Sequence, residues 1–475
     1  MSSLLRDLER QVDVDHVLSR AADRAAYAYD ASGASGERHL PDAVVFPAST
    51  AEVAGVVQVC AHHGVPIVPR GAGTGYAGGA VALHGGVVVN TVRMSSVLGL
   101  ERDAMRVHAE AGVVTDAVHR GVVPLGLYYP PDPASASTST LGGNVVCNAG
   151  GAHARRYGVT ADYLVGATAV LADGSVHRVG ESGDGDAALL RLLPASEGTL
   201  AIVTEVLLRL ISSPAARVTF AATFADMGSA AAAVSGIGRA RVVPAALEFL
   251  DKAALRAVAN AGADPMDADA GALVLAEVEG DAGTTDEEAR AVEGALQAAG
   301  ATRIHRATGR AEAARLWAIR KAVSAAVATV RVGNVTEDIV VPLERVAETV
   351  ALVHALGERH RLPAVVFGHL GDGHLQATFL LDPRVGERPR ADAAAAELLA
   401  AVLDAGGSAT GEHGVGYAKL PWVERQLGPG AVELMRGVQQ ALDPQGLLNP
   451  GKKIPAFDAA PSSAQPANAE VPVAR

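Results

Sequence analysis

The 475-residue sequence contains only two cysteines, Cys60 and Cys147, and they lie far apart along the chain. A disulfide framework, a CxxC redox motif and a cysteine-ligated zinc site are therefore excluded. Such cysteine usage is typical of a reducing compartment. We accordingly expect a cytoplasmic protein, with peripheral attachment to a membrane left open.

Long apolar runs and excess positive charge are also missing. No stretch of about 18 uncharged apolar residues is present, so we expect no membrane span. Residues 1–11 are charged and lack the apolar segment of a secretory signal. The net charge is −12, whereas nucleic-acid backbones select basic surfaces. We therefore expect no nucleic-acid partner.

Glycine, in contrast, is abundant, and its densest run is the segment from Pro69 to Val81, PRGAGTGYAGGAV. Glycines let the backbone approach an anion closely, so this loop predicts a phosphate site. Part of it matches the GxGxxG pattern, but a loop and a strand follow it instead of a helix, and no acidic residue ends that strand. This order disfavours NAD on a Rossmann unit. A glycine-rich turn that binds nothing is the other alternative.

A second glycine-rich segment, from Tyr129 to Gly158, carries small hydroxyl side chains and two amides, Asn144 and Asn148. Further motifs follow in order: RRYG, ASEGTLAIVTEVLLRL, GHLGDGH, GEHGVGYAK and LNPGKK. Together these segments resemble the FAD-binding flavoproteins of the vanillyl-alcohol oxidase type. Within that family the chain looks most like the branch of the glycolate oxidase flavin subunit, D-lactate dehydrogenase and D-2-hydroxyglutarate dehydrogenase.

The resemblance implies an α+β fold: a two-subdomain FAD-binding module of the PCMH type, a ferredoxin-like substrate cap and a C-terminal helical return to the flavin. Strand and helix alternation from about Val218 agrees with such a cap. The predicted units are a helical segment (1–36), the FAD-binding domain (37–214), the cap (215–430), the returning segment (431–455) and a disordered tail (456–475).

The implied cofactor is FAD. No histidine occupies residues 70–79, where some relatives attach the flavin covalently, so we predict non-covalent, dissociable FAD. The predicted FAD contacts are Pro69, Arg70, Gly71, Ala72, Gly73, Thr74, Gly75, Gly78, Gly79, Pro131, Asp132, Ser135, Thr140, Gly142, Gly143, Asn144, Asn148, Gly150, Gly151, Tyr157, Gly158, Glu197, Gly198, Ile202, Val203 and Asn449.

One arginine of a long alanine-rich helix is a candidate substrate ligand. By sequence alone Arg320 reads as a solvated charge on the helix surface. The resemblance reverses this interpretation, because the family's WxxR arginine matches Arg320 and binds the substrate carboxylate. A guanidinium group suits a carboxylate because the two can pair through parallel hydrogen bonds.

Residues 365–378 read as strand, glycine turn and strand, and alternation places His374, Gln376 and Thr378 on one face. The resemblance implies a divalent metal, zinc or manganese, held by two histidines and a glutamate. His369 and Glu412 match two of these ligands, whereas Gln376 occupies the place of the second histidine. We predict the set His369, Gln376 and Glu412, with His374 as an additional catalytic candidate.

His413, beside Glu412, is the predicted general base. The resemblance implies that FAD N5 accepts a hydride from the substrate while His413 takes the hydroxyl proton, the metal polarises the hydroxyl and Arg320 orients the carboxylate. An unplaced histidine is often a buried structural one, but the glycine-flanked turn favours the catalytic interpretation. An imidazole has a free pKa suited to proton abstraction.

The expected reaction is oxidation of a small D-2-hydroxy acid, resembling lactate or glycolate, to the 2-oxo acid. Thr336 stands where the D-2-hydroxyglutarate enzymes carry a lysine nearby, which argues against a dicarboxylate. The expected electron acceptor is a quinone, an electron-transfer flavoprotein or a cytochrome, and a homodimer is one open assembly state. Two alternatives remain: a metal-independent oxidase or dehydrogenase of another alcohol, and a flavin subunit of a larger complex.

Overall fold

The computed structural model describes residues 2–32, 39–181, 183, 187–307 and 309–456. The predicted boundary at 36 and 37 lies outside the described residues. The predicted disordered tail, 456–475, lies outside them as well, apart from Ala456.

The first subdomain is a small sheet with helices. Its elements are α1 (Ser2–Val12), β1 (Val17–Leu18), α2 (Ala21–Arg24), β2 (Ala43–Val45), α3 (Thr50–His63), β3 (Ile67–Arg70) and β4 (Val87–Asn90). The sheet order is β1-β2-β4-β3, with β4 parallel to both β2 and β3. The side chain of Ser49 accepts a hydrogen bond from the backbone N–H of Glu52 and caps α3. Strand β3 leads directly into the glycine-rich loop.

The second subdomain contains a five-stranded antiparallel sheet of order β5-β6-β10-β8-β9. A two-stranded ribbon joins β7 and β11. The elements are β5 (Val97–Glu101), β6 (Arg106–Glu110), α4 (Thr115–Val122), β7 (Leu127–Tyr128), α5 (Leu141–Cys147), α6 (Ala154–Tyr157), α7 (Thr160–Tyr163), β8 (Leu164–Val170), β9 (Val176–Gly180), α8 (Ala187–Leu192), β10 (Ile202–Arg209) and β11 (Ile211–Ser212).

The cap begins with a ferredoxin-like unit, as the sequence predicts. Its strands stand in the order β15-β12-β14-β13, which is the fourth, first, third and second strand of the unit. Its elements are β12 (Ala216–Phe224), α9 (Met227–Arg239), β13 (Ala246–Asp251), α10 (Lys252–Asn260), β14 (Ala272–Gly280), α11 (Ala282–Ala298) and β15 (Arg303–Ala307).

A second, incomplete copy of this arrangement extends the same sheet to seven strands. Its elements are α12 (Arg310–Val330), β16 (Gly333–Val340), α13 (Val346–His360), β17 (Ala364–His369), β18 (His374–Leu381) and α14 (Arg388–Asp404). Strand β17 pairs with β13, and the order continues through β18 to β16. A single bridge from Val340 to Ser408 takes the place of the fourth strand.

The two faces of this sheet differ in chemistry. One face packs its apolar side chains, among them Leu375, Ala377 and Phe379, into the largest core of the protein. The other face is apolar only in part, where Leu250, Leu275 and Phe367 pack in a core with residues of α10 and α12. The rest of that face carries the charged and imidazole side chains described below.

The chain then returns to the first subdomain through α15 (Val423–Leu427) and α16 (Pro429–Leu442). Leu447 and Leu448 belong to the core of that subdomain. The N–H of Asn449 donates to the carbonyl of Ile67 at 2.7 Å. The C-terminal segment therefore closes onto β3, beside the glycine-rich loop. Within the described chain, no helix combines the length and apolar character that crossing a bilayer requires.

Candidate active site

The polar part of the cap sheet brings four ionisable side chains from four adjacent strands together. Glu248 on β13 stands opposite His369 on β17, and His369 stands opposite His374 on β18. Asp338 on β16 completes the row, two residues before the partner of His374. Directly opposite residues in a sheet have their Cβ atoms about 4.5–5.5 Å apart, so the register places the side chains of Glu248, His369 and His374 side by side, while Asp338 reaches His374 diagonally.

Glu248 joins the predicted substrate arginine to a predicted metal ligand. Its carboxylate accepts a hydrogen bond from Arg320 Nε at 2.7 Å and contacts His369 Nδ1. Burial disfavours the charged form of the Glu248 carboxylate, but its interactions with His369 and Arg320 outweigh this effect and hold the pKa of Glu248 below its ordinary value. Within the described chain, Arg320 uses only Nε in a hydrogen bond, which leaves its terminal nitrogens to meet an incoming carboxylate.

Asp338 is a fully buried carboxylate that organises the segment from Thr410 to Gly416, here called the base turn. Its Oδ2 accepts the backbone N–H groups of Gly411, Glu412 and His413 at 3.0, 3.0 and 2.8 Å. Its Oδ1 contacts His374 Nε2. Burial disfavours this charge, yet His413, His374 and Lys419 keep the pKa of Asp338 well below its usual range.

His369, His374 and Glu412 form a cluster with the composition of a metal site. One nitrogen of each histidine and one carboxylate oxygen of Glu412 lie within 4.8 Å of one another. His369 Nε2 is 3.5 Å from Glu412 Oε1. Burial acts against the Glu412 carboxylate, but His369 above all lowers its pKa to about 2, so the oxygen ligand is ionised at neutral pH.

The surroundings of this cluster fit a divalent cation. A histidine that binds a metal commonly donates its other ring N–H to a carboxylate, which fixes the ring. His369 has Glu248 in this role, and His374 has Asp338. Each imidazole therefore keeps one nitrogen for a metal, and three carboxylates surround the position.

The predicted third ligand, Gln376, lies two residues beyond His374 on the same strand. Its backbone pairs with Asp338 on one side and Phe367 on the other. His369, His374 and Glu412 each offer one ligand atom to a single small cluster, and His374 stands directly opposite His369, so these contacts support His374 as a ligand. Coordination by Gln376 stays a prediction.

His413 projects from the base turn toward the same cluster. Its Nδ1 is 3.7 Å from Asp338 Oδ2, and its Nε2 is 3.9 Å from Glu412 Oε1. The ring of Tyr76, which belongs to the glycine-rich loop, lies against the imidazole with 4.8 Å between ring centroids and an angle of 32° between the ring planes. The predicted base thus lies between the cap and the FAD module.

The predicted FAD segments converge beside this turn. A Cβ added at Gly71 would lie 2.3 Å from Thr140 Oγ1, and one added at Gly198 would lie 3.1 Å from Pro69. The amide of Asn449 donates to the carbonyls of Gly79 and Glu197. A Cβ added at Gly150 would lie 3.6 Å from Glu412 Oε2, so the cradle reaches the cluster.

Two observations make this cradle suitable for a dinucleotide. Glycines occupy the points where the segments approach most closely, and a side chain would fill that space. The hydroxyls of Thr140 and Ser196 are buried and have no hydrogen-bond partner among the described residues. Buried hydroxyls normally find a partner, and phosphate or ribityl oxygens would supply one.

Several predicted FAD contacts also have structural duties. Arg70 donates to the carbonyls of Tyr29 and Ala80. The Asn144 amide donates to Thr115 at 2.6 Å, and Asn148 accepts from the N–H of Ala161. These side chains therefore stabilise the cradle through hydrogen bonds within the protein. Other predicted contacts belong to the two glycine-rich segments: Ala72, Gly73, Thr74, Gly75, Gly78, Pro131, Ser135, Gly142, Gly143, Gly151, Tyr157 and Gly158. The predicted contacts Ile202 and Val203 are the first two residues of β10.

The loop's own geometry gives a first test of the cradle. Gly78 has φ of +76°, and a Cβ there would lie 2.1 Å from the ring of Tyr417. We expect Gly78→Ala to raise the dissociation constant of FAD about tenfold or more, because backbone strain of about 1–3 kcal/mol falls on the loop. Titration of the apoprotein with FAD, followed by flavin fluorescence, measures this. Gly121→Ala in α4, where nothing lies within 4 Å, should bind FAD like the wild type; equal affinity of both variants would contradict the expectation.

The two domains are also joined by a buried charge cluster around His153. Its Nδ1 is 2.6 Å from Asp132, a predicted FAD contact, and its Nε2 is 3.2 Å from Glu277 on β14. Burial works against the charged imidazole, but the two carboxylates outweigh it and hold the pKa of His153 well above its ordinary value. His153 and Arg217 in turn lower the pKa of Glu277 to about 2 despite its burial.

Removal of this imidazole should destabilise the folded protein. We expect His153→Ala to lower the free energy of unfolding by about 3 kcal/mol near pH 6. This is the lower end of the cost of breaking a buried ion pair, because Arg217 still neutralises part of the charge of Glu277. Because the pKa of His153 is higher in the folded than in the unfolded protein, the charged imidazole stabilises the fold. This stabilisation is complete below the unfolded-state pKa of about 6.5 and is lost as the pH rises through the folded-state pKa. The difference from wild type should therefore shrink at alkaline pH in urea titrations. His177→Ala, at an exposed position, is the control, and an equal loss in both variants would contradict this account.

Sequence reasoning missed Glu248, Asp338 and Tyr76. Glu248 carried a usable signal, since it interrupts the apolar run from 246 to 250, and buried glutamates are rare unless they are paired. Asp338 follows another acidic residue and offers no such contrast. Tyr76 was visible as the one aromatic residue of the glycine-rich loop.

Comparisons with known proteins agree with this architecture. Residues 213–453 match the family of FAD linked oxidases, C-terminal domain, and residues 41–180 match the FAD binding domain family. The glycolate oxidase subunit GlcD of Bacillus subtilis is 36% identical over 435 residues, which cover 91% of this chain and 92% of that protein. The D-lactate dehydrogenase of Anaerostipes hadrus is 33% identical over 425 residues, covering 87% and 89%.

A solved structure shows the same fold. The structure of p-cresol methylhydroxylase with substrate bound superposes with a TM-score of 0.80 at 17% identity and covers 95% of this chain and 96% of that one. The match to the FAD binding domain family and the match to the FAD linked oxidases, C-terminal domain, which covers more than half of the sequence, both indicate a flavin-dependent enzyme. The chain belongs to the FAD-linked oxidases and is a flavin-dependent oxidoreductase.

Proposed function

We propose that the protein oxidises a small D-2-hydroxy acid of the lactate or glycolate type to the 2-oxo acid, with a divalent metal, zinc or manganese, at His369, His374 and Glu412. The observation that carries the proposal is the row of side chains on the cap sheet. There the guanidinium group of Arg320, the cluster of His369, His374 and Glu412, and the imidazole of His413 lie within one polar area beside the FAD cradle. The names of the relatives, a glycolate oxidase subunit and a D-lactate dehydrogenase, support the substrate class.

Each side chain has a role that its position allows. Arg320, held by Glu248, binds the carboxylate of the substrate through its terminal nitrogens. Nε2 of His413 takes the proton of the hydroxyl group, and the ring of Tyr76 packs against the imidazole. His369, His374 and Glu412 would hold the metal, and its positive charge would make the substrate hydroxyl easier to deprotonate. Bound FAD supplies the hydride acceptor.

Anaerobic bleaching of the flavin tests the substrate. Purified protein loaded with FAD is mixed with D- and L-lactate, glycolate, D-malate and D-2-hydroxyglutarate. We expect D-lactate or glycolate to bleach the flavin fastest and the dicarboxylates to react slowly, since the sequence around Thr336, from 331 to 342, contains no lysine. Bleaching by a simple alcohol and by none of the acids would contradict the proposal. Acid precipitation should leave yellow FAD in the supernatant, as expected for a non-covalent cofactor.

A second candidate is favoured by one observation. The relative from Bacillus subtilis is named a subunit, and this chain has too few cysteines for an iron–sulfur centre of its own. In that case the electron acceptor would be a cysteine-rich partner chain. Co-purification of such a chain from the native host would support this candidate, whereas an isolated protein that reduces a quinone, electron-transfer flavoprotein or cytochrome at full rate would oppose it.

A further inference from the structure

The base turn is held by buried carboxylates from both domains. Asp338 of the cap accepts the N–H groups at its start, from Gly411 to His413. Glu197 of the FAD module accepts those at its end: Oε1 from Val415 at 2.8 Å and Oε2 from Gly416 at 2.6 Å. The segment that carries the predicted base is therefore suspended between the two domains.

Glu197 is held by several contacts in a backbone conformation that residues with a side chain seldom adopt. Its φ of +54° lies in the left-handed region, which costs a residue with a side chain about 1–3 kcal/mol. Its N–H donates to the carbonyl of Val146 at 2.8 Å, and its carbonyl accepts from Asn449 at 2.7 Å. Lys453 lies 3.6 Å from the carboxylate. A strained residue persists only where its surroundings determine its conformation, and strain of this kind concentrates at functional sites.

The base turn is shaped to receive this carboxylate. Gly414 has φ of +83°, and a Cβ there would lie 2.9 Å from Glu197 Oε1. A Cβ at Gly416 would lie 1.8 Å from the carbonyl of Ala77, whose oxygen also accepts the N–H of Tyr417. Because neither glycine has a Cβ atom, the base turn can pack closely against the FAD module at both positions.

We propose that Glu197 is a positioning residue for His413. Sequence reasoning placed Glu197 among the FAD contacts, but both of its carboxylate oxygens are used by the base turn. Its two charge-assisted hydrogen bonds set the distance between the imidazole and the FAD module, while Asp338 sets the same turn against the metal ligands of the cap. This inference rests on the proposed role of His413 as the base.

The test compares Glu197→Gln with Glu205→Gln in the FAD-loaded protein. A glutamine keeps one acceptor but turns an NH₂ group toward a backbone N–H, so one of the two bonds is lost. Glu205 belongs to the same subdomain, where it contacts His108 at 3.0 Å and Thr168 at 3.3 Å, away from the base turn. Amide hydrogen exchange of residues 410–418 should become about tenfold faster in Glu197→Gln and stay unchanged in Glu205→Gln.

The kinetic arm is anaerobic flavin reduction in a stopped-flow instrument. We expect Glu197→Gln to lower the limiting rate about 10- to 100-fold, with the substrate concentration for half-maximal rate and the metal content changed less than about threefold. In a His413→Ala background, the same substitution should change the rate less than about threefold, because the group that it positions is gone. A general structural defect would instead lower the rate by a similar factor in both backgrounds.

Gly414→Ala provides a second variant that keeps the Glu197 side chain but pushes the base turn away from it, since the added Cβ would lie 2.9 Å from Glu197 Oε1. It should accelerate exchange in the same peptide and slow flavin reduction in the same direction. Unchanged exchange in both variants, or faster exchange with an unchanged reduction rate, would overturn the inference. If the wild type reduces its flavin with none of the 2-hydroxy acids, the proposed function fails, and the exchange comparison alone decides whether Glu197 holds the turn.

Discussion

Replacement of His413 by alanine is expected to slow flavin reduction by a 2-hydroxy acid ~10²–10⁴-fold, the usual cost of losing a general base. The imidazole is the side chain of the base turn that lies against both Tyr76 of the FAD loop and the Glu412 carboxylate. Because its backbone N–H is held by Asp338, the alanine variant keeps the fold of the turn. The loss should therefore fall on the rate and leave FAD and metal bound.

Single-turnover reduction under anaerobic conditions measures this effect directly, since it excludes the electron acceptor from the reaction. His305→Ala is a matched control, because His305 pairs with Glu312 near the surface of the cap and should leave the rate unchanged. Retention of more than a tenth of the wild-type rate in His413→Ala would show that another group accepts the proton. Partial recovery on addition of free imidazole would support the assigned role.

Local patterns in the sequence were sufficient to predict most elements of the cap. The alternation of polar and apolar residues after Val365 indicated a hairpin with His374 and Leu375 on opposite faces, and the structure has this arrangement. The first ferredoxin-like unit was also visible, since its strands and helices alternate regularly. The second unit was not predicted, because one isolated bridge at Ser408 stands in for its fourth strand and an isolated bridge has no strand-length pattern.

The site could be predicted only where the family motifs place residues next to each other. His369 and Glu412 follow from such motifs, but the carboxylates that hold them do not. Glu248 is 121 positions from His369, and Asp338 is 74 positions from Glu412. Those pairs are made by strand register and by a turn that packs between domains, and neither leaves a periodic signal in the local sequence.

The same reasoning explains why the motif favours Gln376 as the third ligand, whereas the strand register favours His374. From the motif alone, Gln376 stands at the family's ligand position, and His374 is one further polar residue on the same face. The register adds what the motif lacks: His374 stands opposite His369, and its other nitrogen already contacts a buried carboxylate. A neutral glutamine carbonyl is also a weaker ligand for zinc or manganese than an imidazole nitrogen.

Substitution of His374 by alanine should therefore abolish metal binding, with a fall in affinity of at least ~10²-fold, since even the loss of a residue that merely supports a ligand costs ~10–100-fold. Gln376→Ala, on the same strand and face, is the matched control and should retain the metal. Elemental analysis of protein purified with added zinc or manganese measures the outcome without any assay of turnover. We expect close to one equivalent in the wild type and in Gln376→Ala.

The opposite result would restore the ligand set expected from sequence, with Gln376→Ala losing the metal and His374→Ala retaining it. A third result, less than about half an equivalent in the wild type and a reduction rate indifferent to chelators, would leave the cluster without a metal. His369 would then lie between the carboxylates of Glu248 and Glu412 as a cation, since both hold its pKa well above the ordinary value against the cost of burial. The positive charge facing the substrate oxygen would then come from that imidazolium. His369→Ala would therefore slow flavin reduction in both cases, by removing a metal ligand or by removing the imidazolium itself.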